Sequence, residues 1–168
     1  MATYTRADLD EALASYLDQD REQLAGRLEA VAQRTGELAA RIGTATTAAQ
    51  GWSAIEVLGH MGSVARAFGA LTHRVASGEA TQLDLLALIQ GRDERVAQMS
   101  QLPVEELVAL TQAETEKTAA FLRGIPSADL NRKVVLGEGM TWTAEEVCRL
   151  ALAAHLESHL NQLESLLS

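Results

Sequence analysis

Leu9, Leu13, Tyr16, Leu17, Leu24, Leu28, Val31, Leu38 and Ile42 recur at intervals of three, four and seven residues. A stripe of that period is one face of an α-helix, and it predicts a single long helix from Arg6 to about Ile42. The charged residues between the apolar ones alternate in sign, the pattern of a solvated outer face. The composition points the same way: Ala, Leu, Glu, Gln and Arg are abundant, and Pro103 and Pro126 are the only prolines, so helix is favoured over strand.

The small and glycine-containing run from Gly43 to Gly51 reads as the first connection. After it, Ser53-Ala54-Ile55-Glu56 is a capping box: the Ser53 hydroxyl can accept from the amide three residues on while Glu56 reaches back to the Ser53 amide. A second helix therefore starts there and runs to Ser77-Gly78, where glycine supplies the stop. Thr81 to Met99 reads as one short helix, or two joined by a bend at Gly91. Pro103 opens a third long helix, which should end at Gly124-Ile125-Pro126. Lys133 to Gly139 reads as a small extended excursion or a turn. Thr143-Ala144-Glu145-Glu146 repeats the capping box and starts a fourth long helix that reaches the C-terminus. Trp52 and Trp142 precede the two boxes and read as core anchors at the helix starts; the repetition reads as two solutions to one capping problem.

At 168 residues the chain is expected to be one domain, residues 1–168, burying roughly 70% of the surface its unfolded form exposes. The net charge of −9 and the absence of a Lys/Arg cluster argue against nucleic acid as a partner. No apolar run approaches the ~18 residues of a membrane span, and Met1-Ala2-Thr3-Tyr4-Thr5-Arg6 lacks the apolar core of a signal peptide. A cytoplasmic protein with no membrane partner is the expectation, and the one cysteine, Cys148, leaves no internal disulfide.

Chemistry concentrates in the last helix. His155 and His159 are four apart, so they project from adjacent turns of one face with Cβ atoms roughly 5–6 Å apart, which suits two ligands of one metal ion. Such a site needs three or four protein ligands, and the chain has four histidines. On the second helix, Val57, Val64, Phe68 and Leu71 fall on the same face as His60 and turn its ring inward, whereas His73 falls on the outer side and reads as a solvated residue. His60, His155 and His159 are therefore the candidate ligands, with one or more positions left open. Their distances from the helix starts match best if the second and fourth long helices run antiparallel. Imidazoles suit zinc, nickel, copper or iron and suit calcium or magnesium poorly.

The Trp-capped helix carrying His60, the Pro-initiated third helix, the Met-Thr-Trp-Thr approach to the last helix, and His-x-x-x-His followed by Gln-Leu together resemble the DinB-like (YfiT-like) superfamily of metal-dependent proteins over nearly the whole chain. That resemblance implies an all-α four-helix bundle with up-down-down-up connectivity, and a divalent metal, zinc or nickel, on His60, His155 and His159. It further implies a homodimer and a small-molecule substrate, with relatives that include transferases and isomerases using low-molecular-weight thiols such as mycothiol, bacillithiol or glutathione.

The remaining polar residues carry weaker expectations. Cys148 reads as a buried small apolar side chain and Glu56 as a cap. Gln162 is either an outer partner of the histidines or a surface residue, and Glu157 reads as a solvated charge. Arg92 and Arg95 read as an ordinary polar face more readily than as a receptor for an anion. The functional expectation is a metal-binding protein acting as a thiol-dependent transferase or isomerase, or a hydrolase, on a small electrophile. The competing readings are a non-catalytic metal-binding or stress-related bundle and a metal-free helical interaction module.

Overall fold

The structure is a computed structural model that describes residues 5–42 and 51–168. The connection expected at Gly43–Gly51 lies outside the described residues except for Gly51. Helix α1 runs over Arg6–Ile42 and α2 over Ala54–Ala76; the short α3 (Leu85–Gln90) and α4 (Arg92–Met99) follow, then α5 (Val104–Gly124). A turn of 3₁₀ helix at Ser127–Asn131 leads to β1 (Lys133–Val135) and β2 (Thr141–Thr143). The last helix is continuous but changes character along its length: α6 (Ala144–Glu146), a π-helical stretch (Val147–Ala154) and α7 (His155–Leu166).

Cross-helix contacts give the directions. Arg123 of α5 pairs with Glu22 and Glu29 of α1 while Gln112 reaches the Ala32 carbonyl, so α1 and α5 are antiparallel. Gly62 faces Thr111 and Gly69 faces Thr118, so α2 and α5 are parallel. Arg27 pairs with Glu157 and Arg34 with Glu164, so α1 and α7 are parallel. Trp52 lies near His159 and His60 near His155, so α2 and α7 are antiparallel. The result is an all-α four-helix bundle of up-down-down-up connectivity, with the last helix antiparallel to α2 as the histidine spacing requires.

The core runs along the bundle axis through Leu28, Leu58, Met61, Leu107, Leu122, Leu156, Leu160 and Leu163, all fully buried. Small residues on α2 let its neighbours close in. A Cβ on Gly69 would lie 2.7 Å from Thr118 Oγ1, and one on Gly59 would lie 3.1 Å from Met99 Cβ. The second contact brings the end of α4 down beside His60. Both capping boxes form: Ser53 N donates to Glu56 Oε2 at 2.8 Å, and Thr143 N to Glu146 Oε2 at 2.7 Å. The Asp84 carboxylate caps α3 by accepting from Ala87 N at 2.9 Å, and the chain bends at Gly91 between α3 and α4. Pro103 stands just before α5 rather than inside it.

The excursion after α5 is a β-hairpin, with Val134 opposite Trp142. Leu83 N donates to the Val135 carbonyl and Val135 N to the Thr81 carbonyl at 2.8 and 2.9 Å, so the segment after α2 is stitched to β1. The loop turns through Gly137, Glu138 and Gly139, all at positive φ, a conformation that glycine adopts without steric cost.

Three expectations are corrected here. The periodicity of α1 continues to its N-terminus, but Leu9, Leu13 and Tyr16 are 56%, 60% and 63% exposed, because the helices packed on α1 do not cover that end among the described residues. His73 is half-buried rather than solvated; its ring stacks on Phe121 at 3.8 Å, since α5 runs alongside the face of α2 that a lone helix would show to water. Glu157 is no free charge: its two oxygens accept from Arg27 Nε and Nη2 at 2.7 and 2.6 Å, clamping α7 to α1.

Candidate metal centre

The Ser53 box fixes the start of α2, and seven residues later His60 points into the bundle with 7% of its surface exposed. From the opposite side, the π-helical stretch hands over to α7 at His155. Segments of this wider helix are frequent at functional sites, where they re-aim the residues that follow. The Nε2 atoms of His60 and His155 are 3.2 Å apart, and those of His155 and His159 are 3.1 Å apart. Ligand nitrogens of all three residues lie within 4.8 Å of one another.

Two of the three rings are held from behind. His159 Nδ1 donates to Gln162 Oε1 at 2.8 Å. His155 has the Ala151 backbone behind it, which opposes the lowering of its pKa. With His159 Nδ1 donating to Gln162, the Nε2 of that neutral ring carries a lone pair aimed at His155 Nε2 across 3.1 Å. Neutral donors in that arrangement repel unless a cation stands between them. A tetrahedral zinc with bonds of about 2.0–2.1 Å sets its nitrogens about 3.3 Å apart, close to the spacing found. The donor set therefore fits a divalent transition ion.

Electrostatics keep the rings in the ligating form. Burial drives the His60 pKa down to about 3, helped by His159, His155, Arg92 and Arg95. Burial also lowers His155, followed by the charge of His159, against the opposing Ala151 bond. It lowers His159 as well, against the opposing Gln162 bond. All three imidazoles are neutral at pH 7, the state in which a metal accepts them.

The surroundings include residues that the sequence pattern did not single out for this role. Trp52 packs its ring 4.8 Å from that of His60 and 6.1 Å from that of His159; it is a core anchor and also a wall of the centre. Arg92 lies over the Trp52 ring, its Cζ 5.2 Å from the ring centroid. Next to His60 and His155 is a cavity of about 250 Å³, walled by Val64, Phe68, Leu88 and Trp142, with Arg92 and Arg95 in its lining. A larger groove of about 670 Å³ between α3 and the hairpin loop contains neither imidazole nor guanidinium and offers no comparable chemistry.

Two candidates fall away. Glu56 is engaged by the Ser53 amide and hydroxyl, which hold its carboxyl below the usual range. Cys148 is fully buried, and burial, reinforced by Glu145, pushes its thiol up to about 12, so it is no nucleophile at neutral pH.

Among the described residues, no helix is long and apolar enough to cross a membrane. No curated protein and no solved structure matches the chain. The family model of the DinB superfamily does match, over residues 16–163, a span that contains all three converging histidines, the whole of α2 and α5 and most of α1 and α7, and on that match the chain belongs to the DinB superfamily.

Proposed function

We propose that His60, His155 and His159 hold one divalent transition-metal ion, zinc or nickel, and that the protein is a metal-dependent enzyme acting on a small electrophile. The nucleophile is a low-molecular-weight thiol in a transferase or isomerase, or water in a hydrolase. The observation that carries this reading is the convergence of three neutral Nε2 donors from two helices, with His159 anchored through Nδ1. Three imidazoles favour zinc or nickel over calcium or magnesium, which prefer oxygen. An ion held by three protein ligands retains an open position and would supply the charge that acidifies a thiol or water and polarises a carbonyl.

The chain's own groups have definable parts in this. Gln162 fixes the tautomer and direction of His159. Val64, Phe68 and Trp142 give the adjoining cavity an apolar wall. The external thiol or water is required because Cys148 is buried and protonated. The cavity beside the histidines favours this reading over a purely structural ion, which needs no substrate space beside it. A homodimer belongs to the same proposal on family likeness.

Elemental analysis after loading with Zn²⁺ or Ni²⁺ should give one ion per chain. Turnover with a panel of mycothiol, bacillithiol or glutathione and small electrophiles, or by hydrolysis, should disappear in His159→Ala while the helical content stays. A chain that takes up no ion contradicts the metal assignment; an ion-loaded chain inactive across the panel contradicts the enzymatic one and leaves a structural ion.

A further inference from the structure

The charges around the cavity beside His60 and His155 are one-sided. The protein carries 23 acidic residues and a net charge of −9, yet no acidic residue among the described ones lines this cavity, whereas Arg92 and Arg95 both do. Arg95 is half-buried; its Nη2 donates to the Leu88 carbonyl, and no described carboxylate lies within ion-pair distance of it. Arg92 directs Nε to the exposed Asp93 at 3.0 Å, which leaves its terminal amino groups for another acceptor. An unpaired guanidinium in an apolar wall is costly to desolvate unless an anion completes its bonding. The same lining includes the apolar side chains of Val64, Phe68, Leu88 and Trp142.

We propose that this cavity binds a small amphipathic carboxylate, its head held by Arg95 and Arg92 and its tail against Phe68 and Trp142. The volume of about 250 Å³ equals that of about eight waters at ~30 Å³ each, which limits the ligand to about ten non-hydrogen atoms. As a statement about substrate, the proposal rests on the metal-dependent activity proposed above, with the carboxylate-bearing molecule as the electrophile. As a statement about binding, it needs only the arginines and the wall.

Octanoate, with its neutral isostere 1-octanol as control, is a suitable probe. Trp52 and Trp142 are the only tryptophans in the chain; Trp142 lines the cavity and Trp52 packs on His60, which also lines it, so intrinsic fluorescence reports binding there. Titrations on the full chain, with the metal removed by chelation and again after zinc loading, should show octanoate binding at least about tenfold tighter than octanol. Arg95→Gln and Arg92→Gln should each lower that preference about tenfold or more, the usual loss for a hydrogen bond to a charged group, while octanol binding is unchanged. Because Arg92 is exposed, its variant keeps the test open should Arg95→Gln fail to fold. Equal affinity for the two probes, or a preference that survives both substitutions, overturns the proposal. Zinc uptake is measured separately on the same samples: octanoate selectivity without zinc uptake would remove the metal reading and leave the anion site, and zinc uptake without selectivity would do the reverse.

Discussion

Gln162 offers the sharpest separation of site from scaffold. It is an exposed residue whose Oε1 accepts from His159 Nδ1 at 2.8 Å, so its replacement by leucine removes a partner of the candidate ligand without disturbing the core. Loss of such an outer partner lowers metal affinity about 10- to 100-fold. Because water can reach the vacated Nδ1–H, the lower end applies: about tenfold, or ~1.4 kcal/mol. Stability of the metal-free chain should move by less than ~0.5 kcal/mol, as for exposed positions generally. A chromophoric chelator competing for Zn²⁺ measures the first quantity and urea denaturation the second. Gln162→Glu, which keeps an acceptor at the same reach, should retain affinity. Unaltered zinc affinity in Gln162→Leu would refute the idea that this bond orients a ligand, as would an affinity loss matched by an equal loss of stability.

Other expectations address pH and packing. With its pKa depressed to about 3, His60 in the metal-free chain should show no imidazole titration in NMR spectra between pH 7 and 4; a midpoint near 6.5 would contradict its burial. Since the unfolded chain takes up that proton near pH 6.5 and the native one does not, His60 makes native stability fall as the pH drops from about 6.5 toward 3, and His60→Asn should flatten that part of a stability-versus-pH curve. Leu28→Ala, at a fully buried position, should cost about 2–5 kcal/mol; Leu13→Ala, on the same stripe but 60% exposed, should cost less than ~0.5 kcal/mol, and similar losses at both would show that the α1 N-terminus is covered in solution. Glu157→Gln should cost about 0.5–1 kcal/mol through its pair with the partly exposed Arg27, with the loss reduced at high salt.

The histidine triad was legible because helix periodicity is local: His155 and His159 share a face by spacing alone, and the apolar neighbours of His60 point its ring inward. The relative direction of α2 and α7 followed from the same arithmetic. What lay beyond reach depends on tertiary position. Arg92 and Arg95 look like any polar stretch until the Gly59–Met99 approach sets α4 beside the centre. Trp142 precedes a cap, but only the hairpin's pairing with Val134 places it at the cavity. The π-helical stretch leaves no recognisable pattern in Val147–Ala154, although it sets how α7 presents His155. On α1 the error ran the other way, because a stripe records that a helix can be amphipathic and says nothing of how far its neighbours extend.

X-ray absorption at the zinc edge, on chain reconstituted with one equivalent of Zn²⁺, tests the account most directly. It should show an ion bound by three imidazole nitrogens at about 2.0–2.1 Å with a remaining light-atom ligand from outside the chain, and His60→Ala should remove one imidazole and weaken retention. A shell without three imidazoles, or zinc that stays fully bound after His60 is replaced, would contradict it.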